Sequence, residues 1–341
     1  MPKRKKHNSP LGSAALHNKE LSTKMSLSAL LLSGFLTFVE LNCENLFDCR
    51  HDSLKNDTEF LPTAGRQWTP RRYWRKLDNI GRTIISCTPD TVSYQLPDLV
   101  ALVEVENDSV IHALTRRSLL RHAGYEYVMT CSPDERGLDV ALLYQPFSFQ
   151  LLTYYPLRVT PLEGMRPTRD ILYVSGRVIT GDTLHVFVVH APSRYGGERV
   201  TRPYRQQVAD RLMLSVDSLR SLSSDAQILI AGDFNDYTGD ASLQYLEAHQ
   251  LMHVSRSATG HHGARATYRF QGLWASLDHI FTSSSLAASL DTCYINDAPF
   301  LLEPDEQYGG FKPRRTYSGY RYQRGFSDHL PLVARFRLRE H

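Results

Sequence analysis

Short runs that are apolar on both alternating faces punctuate this chain, and they narrow its fold more than any other feature. They lie at Thr37–Leu41, Leu99–Val105, Leu138–Tyr144, Ile171–Val178, Leu184–Val189, Gln227–Ala231, Leu277–Thr282 and Leu332–Leu338. Several are too apolar to border water, so they predict strands inside packed sheets. Helical patterns alternate with them. Thr69 predicts an N-cap and Pro70 a first helical position, with Trp74, Leu77, Ile80 and Ile84 recurring on one face. A second helix is predicted from about Pro203 to Leu219, its buried stripe being Tyr204, Val208, Leu212, Val216 and Leu219. The alternation is that of an α/β domain, and no internal repeat interrupts it.

With 341 residues, 42% of them hydrophobic, the chain can bury a large core, and 22% charged residues is ordinary for a globular protein. No run of about 18 apolar residues occurs, which excludes an ordinary membrane-spanning helix. The five cysteines, Cys43, Cys49, Cys87, Cys131 and Cys293, form no zinc-like spacing and read as buried small hydrophobes. The formal charge of +3 is unevenly spread. Residues 1–36 carry six basic side chains against the single Glu20, a net +5, which leaves −2 for residues 37–341. A near-neutral body makes no bulk electrostatic case for long nucleic acid, so any such case rests on local patches. Residues 1–36 are read as a basic and apolar leader and residues 37–341 as one domain. Lys24 followed by Leu27 to Phe38 resembles the charged and apolar regions of a signal peptide if synthesis begins at Met25. The same run ends in the first core strand, so the chain reads as exported if residues 25–36 act as a signal and as cytoplasmic otherwise.

Five motifs place proton-transferring or metal-capable side chains at the ends of predicted strands, where a tip can reach a cleft while its base is held rigidly. Asn42 ends the first strand, and Glu104 closes the apolar run Leu99-Val100-Ala101-Leu102-Val103. His190 follows Val188-Val189 and precedes the break at Pro192. Asp233 and Asn235 follow the turn at Gly232. The last motif is split between Asp278-His279 and Ser327-Asp328-His329. Each has a plainer reading alone: Asn42 as a strand-end cap, Glu104 as half an ion pair, His190 as a core histidine, Asp233 and Asn235 as turn formers. Their joint occurrence in chain order carries the argument.

The set Asn42, Glu104, His190, Gly232-Asp233-Phe234-Asn235, Asp278 and Ser327-Asp328-His329 resembles the motif series of the endonuclease/exonuclease/phosphatase family, from about residue 37 to 338. The run Glu44-Asn45-Leu46-Phe47 and residues 68–84 resemble its bacterial members in particular. Abasic-site enzymes are the poorer match, since they carry an Asn-Gly-Leu run there and a Gln where Val103 stands. The resemblance implies a four-layer α/β/β/α sandwich, two mixed β-sheets packed face to face and flanked by helices, with the active site where strand ends of both sheets meet.

Phosphate diesters resist hydrolysis because their anionic centre repels a nucleophile, so charge must be neutralised and a base supplied. Carboxylate and amide oxygens suit Mg²⁺ or Mn²⁺, expected mainly on Glu104 with Asn42 and Asp328. His329 with Asp278 reads as a histidine oriented by a carboxylate. By resemblance this pair handles the proton of the attacking water or stabilises the phosphorus centre. Asp233 is then a rival base or second metal ligand, Asn235 orients the nucleophile or a phosphoryl oxygen, and His190 donates to a phosphate oxygen or the leaving group. Arg136 and Arg194 are candidate phosphate contacts. So are Arg314 and Arg315, within a basic and aromatic stretch, Phe311 to Arg324, that is free of acids. The expected partner is a phosphate ester, nucleic acid first and a small or lipid phosphate second, with a non-catalytic binding protein as a third reading; a monomer is expected.

Overall fold

The structure, a computed structural model, describes residues 34–88 and 95–338. The proposed leader therefore lies almost entirely outside the described residues.

Two six-stranded sheets carry the predicted strands. The first contains β1 (Phe35–Leu46), β2 (Leu99–Val105), β3 (Glu126–Met129) and β4 (Asp139–Tyr144). The second contains β5 (Phe149–Leu157), β6 (Ile171–Val178), β7 (Thr183–His190), β8 (Gln227–Asp233), β9 (Met252–His253) and β10 (Asp278–Thr282). The chain then returns to the first sheet with β11 (Leu290–Ile295) and β12 (Leu332–Arg337). The strand orders are β11-β12-β1-β2-β4-β3 and β5-β6-β7-β8-β10-β9. Each sheet is mixed: β1 with β2 and β7 with β8 run parallel, while β2/β4 and β8/β10 are antiparallel.

Three apolar clusters separate four layers. The middle one joins the sheets, packing Phe38, Ala101 and Val140 with Val174, Val186 and Leu229. The outer face of the first sheet buries Val39, Leu41, Val100 and Leu102 under helix α1 (Pro70–Ser86) and helix α2 (Asp108–Arg117). The second sheet buries Phe187, Ile228 and Ile230 under helix α3 (Glu198–Leu222) and helix α4 (Ala241–Ala248). This is the expected α/β/β/α sandwich.

Details depart from the sequence reading. Thr69 stands at the N-cap of α1, yet its side chain makes no capping bond. Tyr73, not Trp74, joins the buried stripe, and Trp74 is 37% exposed. Helix α3 begins at Glu198, more than a turn before Pro203; Thr201, buried and accepting from Arg205 at 2.8 Å, extends the buried face backwards. Among the cysteines only Cys43 and Cys87 are buried, and Cys131 is exposed; all five are free. No helix among the described residues is long and apolar enough to cross a membrane.

Candidate active site

The site is where the inner faces of the strands change chemistry. Side chains two apart share a face of a strand. In β1 that face reads Phe38, Glu40, Asn42; in β7, Val186, Val188, His190; in β8, Leu229, Ala231, Asp233; and in the antiparallel β10, Asp278 comes first and Ile280 follows. Each row is apolar in the middle of the sandwich and polar at one end. Cross-strand register aligns those ends, because His190 pairs with Asp233 and Asp233 with Asp278. Glu104 would not follow this rule in a regular strand. A bulge between Val103 and Val105, with Glu104 at φ +60°, turns its carboxylate into the same row. Val103 then packs between the sheets and Val105 under the helices. Gly232 permits the turn at Asp233: its φ is +148°, and a Cβ there would stand 1.8 Å from the Val189 carbonyl oxygen. Glu44, Asn45 and Asn235 also adopt positive φ, so strained backbone concentrates around this edge.

Asn42 ties the two sheets together. Its Nδ2 donates to Asp233 Oδ2 at 3.0 Å and to Glu104 Oε1 at 3.3 Å, while its Oδ1 accepts from the Glu44 backbone at 2.8 Å. Its oxygen, the atom it would offer a metal, accepts this one hydrogen bond, and its amide nitrogen bridges two carboxylates. His190 Nε2 stands 4.0 Å from both Glu104 and Asp233. His329 Nδ1 bonds Asp278 Oδ2 at 2.7 Å, and Ser327 fixes the loop by donating to the Asn42 carbonyl at 2.7 Å. Asn235 donates to the Ala191 carbonyl at 3.1 Å, and its backbone N–H reaches Asp233 Oδ1 at 2.8 Å.

Burial sets the protonation of this cluster. Asp233 is pushed up to about 7 by burial and then by the neighbouring Asp278. Burial, with Arg169 and Arg136 nearby, holds His190 well below its ordinary range, so it is neutral. Burial also opposes charge on His329, yet the Asp278 carboxylate outweighs it and holds the imidazole well above its usual value. Glu40, below the row, is fully buried with both carboxyl oxygens unpartnered, and burial raises it strongly. Crowded acids with one unpartnered Asp278 oxygen are what a cation would relieve. A hard divalent ion fits the donors: ligand atoms of Glu104, His190 and Asp233 lie within 4.8 Å of one another, as do those of Asp233, Asp278 and His329. The second trio is partly committed to the Asp278–His329 bond. Asp328 belongs to neither trio and accepts from Arg315 Nη2 at 2.9 Å.

The row opens into a cleft of about 760 Å³ lined by Glu104, His190, Asp233, Asn235, Asp328 and His329. Arg136 also lines it, its guanidinium donating to Asn45. Arg194 is spent elsewhere, on Asp236 at 3.0 Å, Asp240 at 2.7 Å and the Tyr237 ring. Arg314 packs over Phe326 and lines neither this cleft nor the smaller cavity beside it, whereas Arg315 lines that cavity. Sequence reading missed three cleft residues. Arg166 and Arg169 precede β6, which runs antiparallel to β7, so they arrive at the edge where His190 ends its strand. A basic cluster abutting a strand start was the available signal. Tyr268, whose ring lies 4.9 Å from that of His329, had none, because its approach is made through a non-local bridge.

Comparison with known proteins agrees with this geometry. No curated protein sequence matches the chain significantly. Among solved structures, an endonuclease/exonuclease/phosphatase family protein from Bacteroides thetaiotaomicron superposes with a TM-score of 0.56 at 16% identity, covering 88% of this chain and 97% of that one. A truncated Caenorhabditis elegans TDP2 gives 0.55 at 16% identity, covering 89% and 97%, and the human Nocturnin catalytic domain with bound sulfate gives 0.53 at 16%, covering 89% and 95%. These likenesses are of fold. The sequence model of the family matches residues 37–337, nearly the whole described chain, and the chain therefore belongs to the Endonuclease/Exonuclease/phosphatase family.

Proposed function

We propose that this chain is a phosphodiesterase that uses Mg²⁺ or Mn²⁺ to cut nucleic acid. The observation that carries the reading is the convergence on Asp233 of a neutral histidine, a charged histidine and a bridging amide, beside the Glu104 carboxylate that lines the cleft. A cation held by Glu104, with Asp233 and His190 near it, would neutralise phosphate charge and make the attack of water easier.

The protein's own groups divide the remaining work. Asp233, poised near neutrality, is suited to take the proton of the attacking water. Asn42 and the Asn235 backbone hold its carboxylate in place. Neutral His190 can donate a hydrogen bond to a phosphate oxygen without losing its proton. His329, kept charged by Asp278, stabilises negative charge developing across the phosphorus centre or protonates the departing oxygen. Two histidines pushed in opposite directions by their surroundings give two distinct roles.

Arg136, Arg166 and Arg169 along the cleft wall favour a polyanion. One observation favours the second reading, a small or lipid phosphate: Arg166 lies 3.6 Å from Glu135 and Arg169 lies 3.4 Å from Asp134, which weakens their pull on a long strand. A metal-replete assay, with a chelator control, on plasmid DNA, single-stranded RNA, sphingomyelin and inositol phosphates separates the two. Metal-dependent cutting of DNA or RNA is expected. Activity confined to the lipid or the inositol phosphates would select the alternative, and no turnover on any of them would remove both.

A further inference from the structure

Beside the cleft lies a second cavity of about 230 Å³, walled in part by Glu44, Asn45, Arg66, Arg315 and Tyr317. The hydrolysis described above makes no use of Arg66. Side-chain bonds link the two hollows: Asn45 accepts from Arg136 of the cleft, and Arg315 donates to Asp328 of the cleft at 2.9 Å.

Arg66 defines what the cavity can hold. Its side chain is 25% exposed, and its guanidinium lies 5.3 to 5.5 Å from the ring centroids of Phe60, Tyr317 and Tyr320. Its Nε meets Glu59 at 3.2 Å and its Nη1 donates to the Gly319 carbonyl at 3.0 Å; neither bond uses Nη2. A guanidinium fixed by ring faces is already ordered to meet two oxygens of an oxyanion, so little freedom is lost on binding. Arg315 brings a second guanidinium, whose Nε stands 3.5 Å from Glu44 and whose Nη2 pairs with Asp328 at 2.9 Å; neither contact uses Nη1. Glu44, the one acid lining the cavity, accepts from the Thr316 N–H at 2.6 Å and is shared between Lys76 at 3.6 Å and Arg315 at 3.5 Å, so a single carboxyl faces two cations besides Arg66. Pockets for drug-sized ligands run from about 300 to 1,000 Å³. The cleft falls in that range, and this cavity falls below it, at the size of one small anionic group.

We propose that the cavity is an anion subsite that seats a second phosphate of the substrate, next to the one being cut, with Arg66 and Arg315 as donors. The inference rests on the phosphodiesterase reading and narrows its substrate to molecules with two phosphates in series. That second phosphate is either a terminal monoester or the next diester of a strand; both present the same oxygens.

Binding is measured first, because it needs no turnover. The full chain is titrated with thymidine 3′,5′-bisphosphate and with the two thymidine monophosphates. The wild type binds the bisphosphate about tenfold tighter than either monophosphate, in keeping with one or two charge-assisted bonds. Arg66→Gln brings the three within about twofold, and Arg66→Lys keeps part of the advantage. Equal affinities in the wild type, or an undiminished bisphosphate advantage in Arg66→Gln, overturns the subsite. Hydrolysis of bis(p-nitrophenyl) phosphate, which has one phosphate, reports separately on the phosphodiesterase reading; its absence counts against that reading, and the titrations still decide the subsite. Relative kcat/KM on a dinucleotide, the same dinucleotide with a terminal phosphate, and a trinucleotide then assigns the source. A gain from the terminal phosphate marks a monoester, a gain from the added diester marks a strand, and a gain from neither contradicts the proposal.

Discussion

Asp233 sits among more negative charge than a folded interior tolerates easily, facing Asp278 and within 4.0 Å of the His190 ring. Such crowding is kept for function at the expense of stability. Asp233→Asn should therefore lower kcat by about 100- to 10,000-fold, the usual worth of a general base, while raising the melting temperature. His329→Ala should abolish turnover comparably. Near-normal turnover in either variant, read alongside the melting curve, would displace that residue from the mechanism. A different buried acid tests the electrostatics away from the site. Asp98 accepts the Thr37 N–H at 2.7 Å, and burial raises its pKa. The folded value thus lies above the unfolded one, so its contribution to stability is full below the unfolded pKa of about 3.9 and is lost as pH rises through the raised value. Urea unfolding should show Asp98→Asn gaining on the wild type between acid and alkaline pH. A constant difference would mean that Asp98 titrates normally. At this scale the sequence was informative where residue type and strand end coincide, as at His190 and Asp233. It was silent on Glu104's bulge and on the bridging amide nitrogen of Asn42, which depend on backbone conformation and on partners 62 and 191 positions away.

Helix α1 reaches the site through one buried pair. Lys76 is 1% exposed and donates to Thr316 Oγ1 at 2.6 Å and the Phe326 carbonyl at 2.5 Å, with Glu44 3.6 Å away. Glu44 in turn stands 3.5 Å from Arg315. This chain of contacts explains why the first motif reads Glu44-Asn45-Leu46-Phe47: its glutamate anchors the basic stretch that precedes Ser327-Asp328-His329. Lys76→Met should destabilise the protein by about 3–5 kcal/mol, because it leaves the buried Glu44 carboxyl with only Arg315 as a cation. Adding Glu44→Gln should recover part of that loss. Chemical denaturation of the single and double variants decides it, and an additive double variant would contradict the coupling. Elements that pack apolar on both faces were legible from composition alone, as β2 and β6 show. Strands β5 and β11 were not, since β5 keeps Leu152, Tyr154 and Tyr155 about half exposed at a sheet edge and reads like a loop. Helix α2 had a usable signal, Asn107 capping the Val110 N–H at 3.0 Å, but its ten residues are too few for a clear periodic stripe.

Over the whole molecule, a near-neutral body brings Arg136, Arg166 and Arg169 to the cleft and Arg66 and Arg315 to the cavity beside it. The sequence placed this basic surface on Arg314 and Arg315 together; the folded chain separates them, one over Phe326 and the other between Glu44 and Asp328. Arg315→Ala should raise KM for nucleic acid and reduce the slope of log KM against log salt by about one unit, whereas Arg314→Ala should change neither. Equal effects from both would return the contact to the loop as a whole. The four-layer architecture was legible because the motifs at strand ends resemble one family in chain order, and the two-sheet packing then follows from strands too apolar to face water. What brings those motifs together, the pairing of His190 with Asp233 and the amide bridge between the sheets, is non-local and became visible only in three dimensions. The central claim is that one hard cation sits where these ends meet. It is tested most directly by locating Mn²⁺ through its anomalous scattering in crystals of the protein. The account predicts a single strong peak at about 2.0–2.2 Å from a Glu104 carboxylate oxygen, the bonding distance of a small hard cation, with Asp233 and His190 around it. A peak away from Glu104, or none at saturating Mn²⁺, would contradict it.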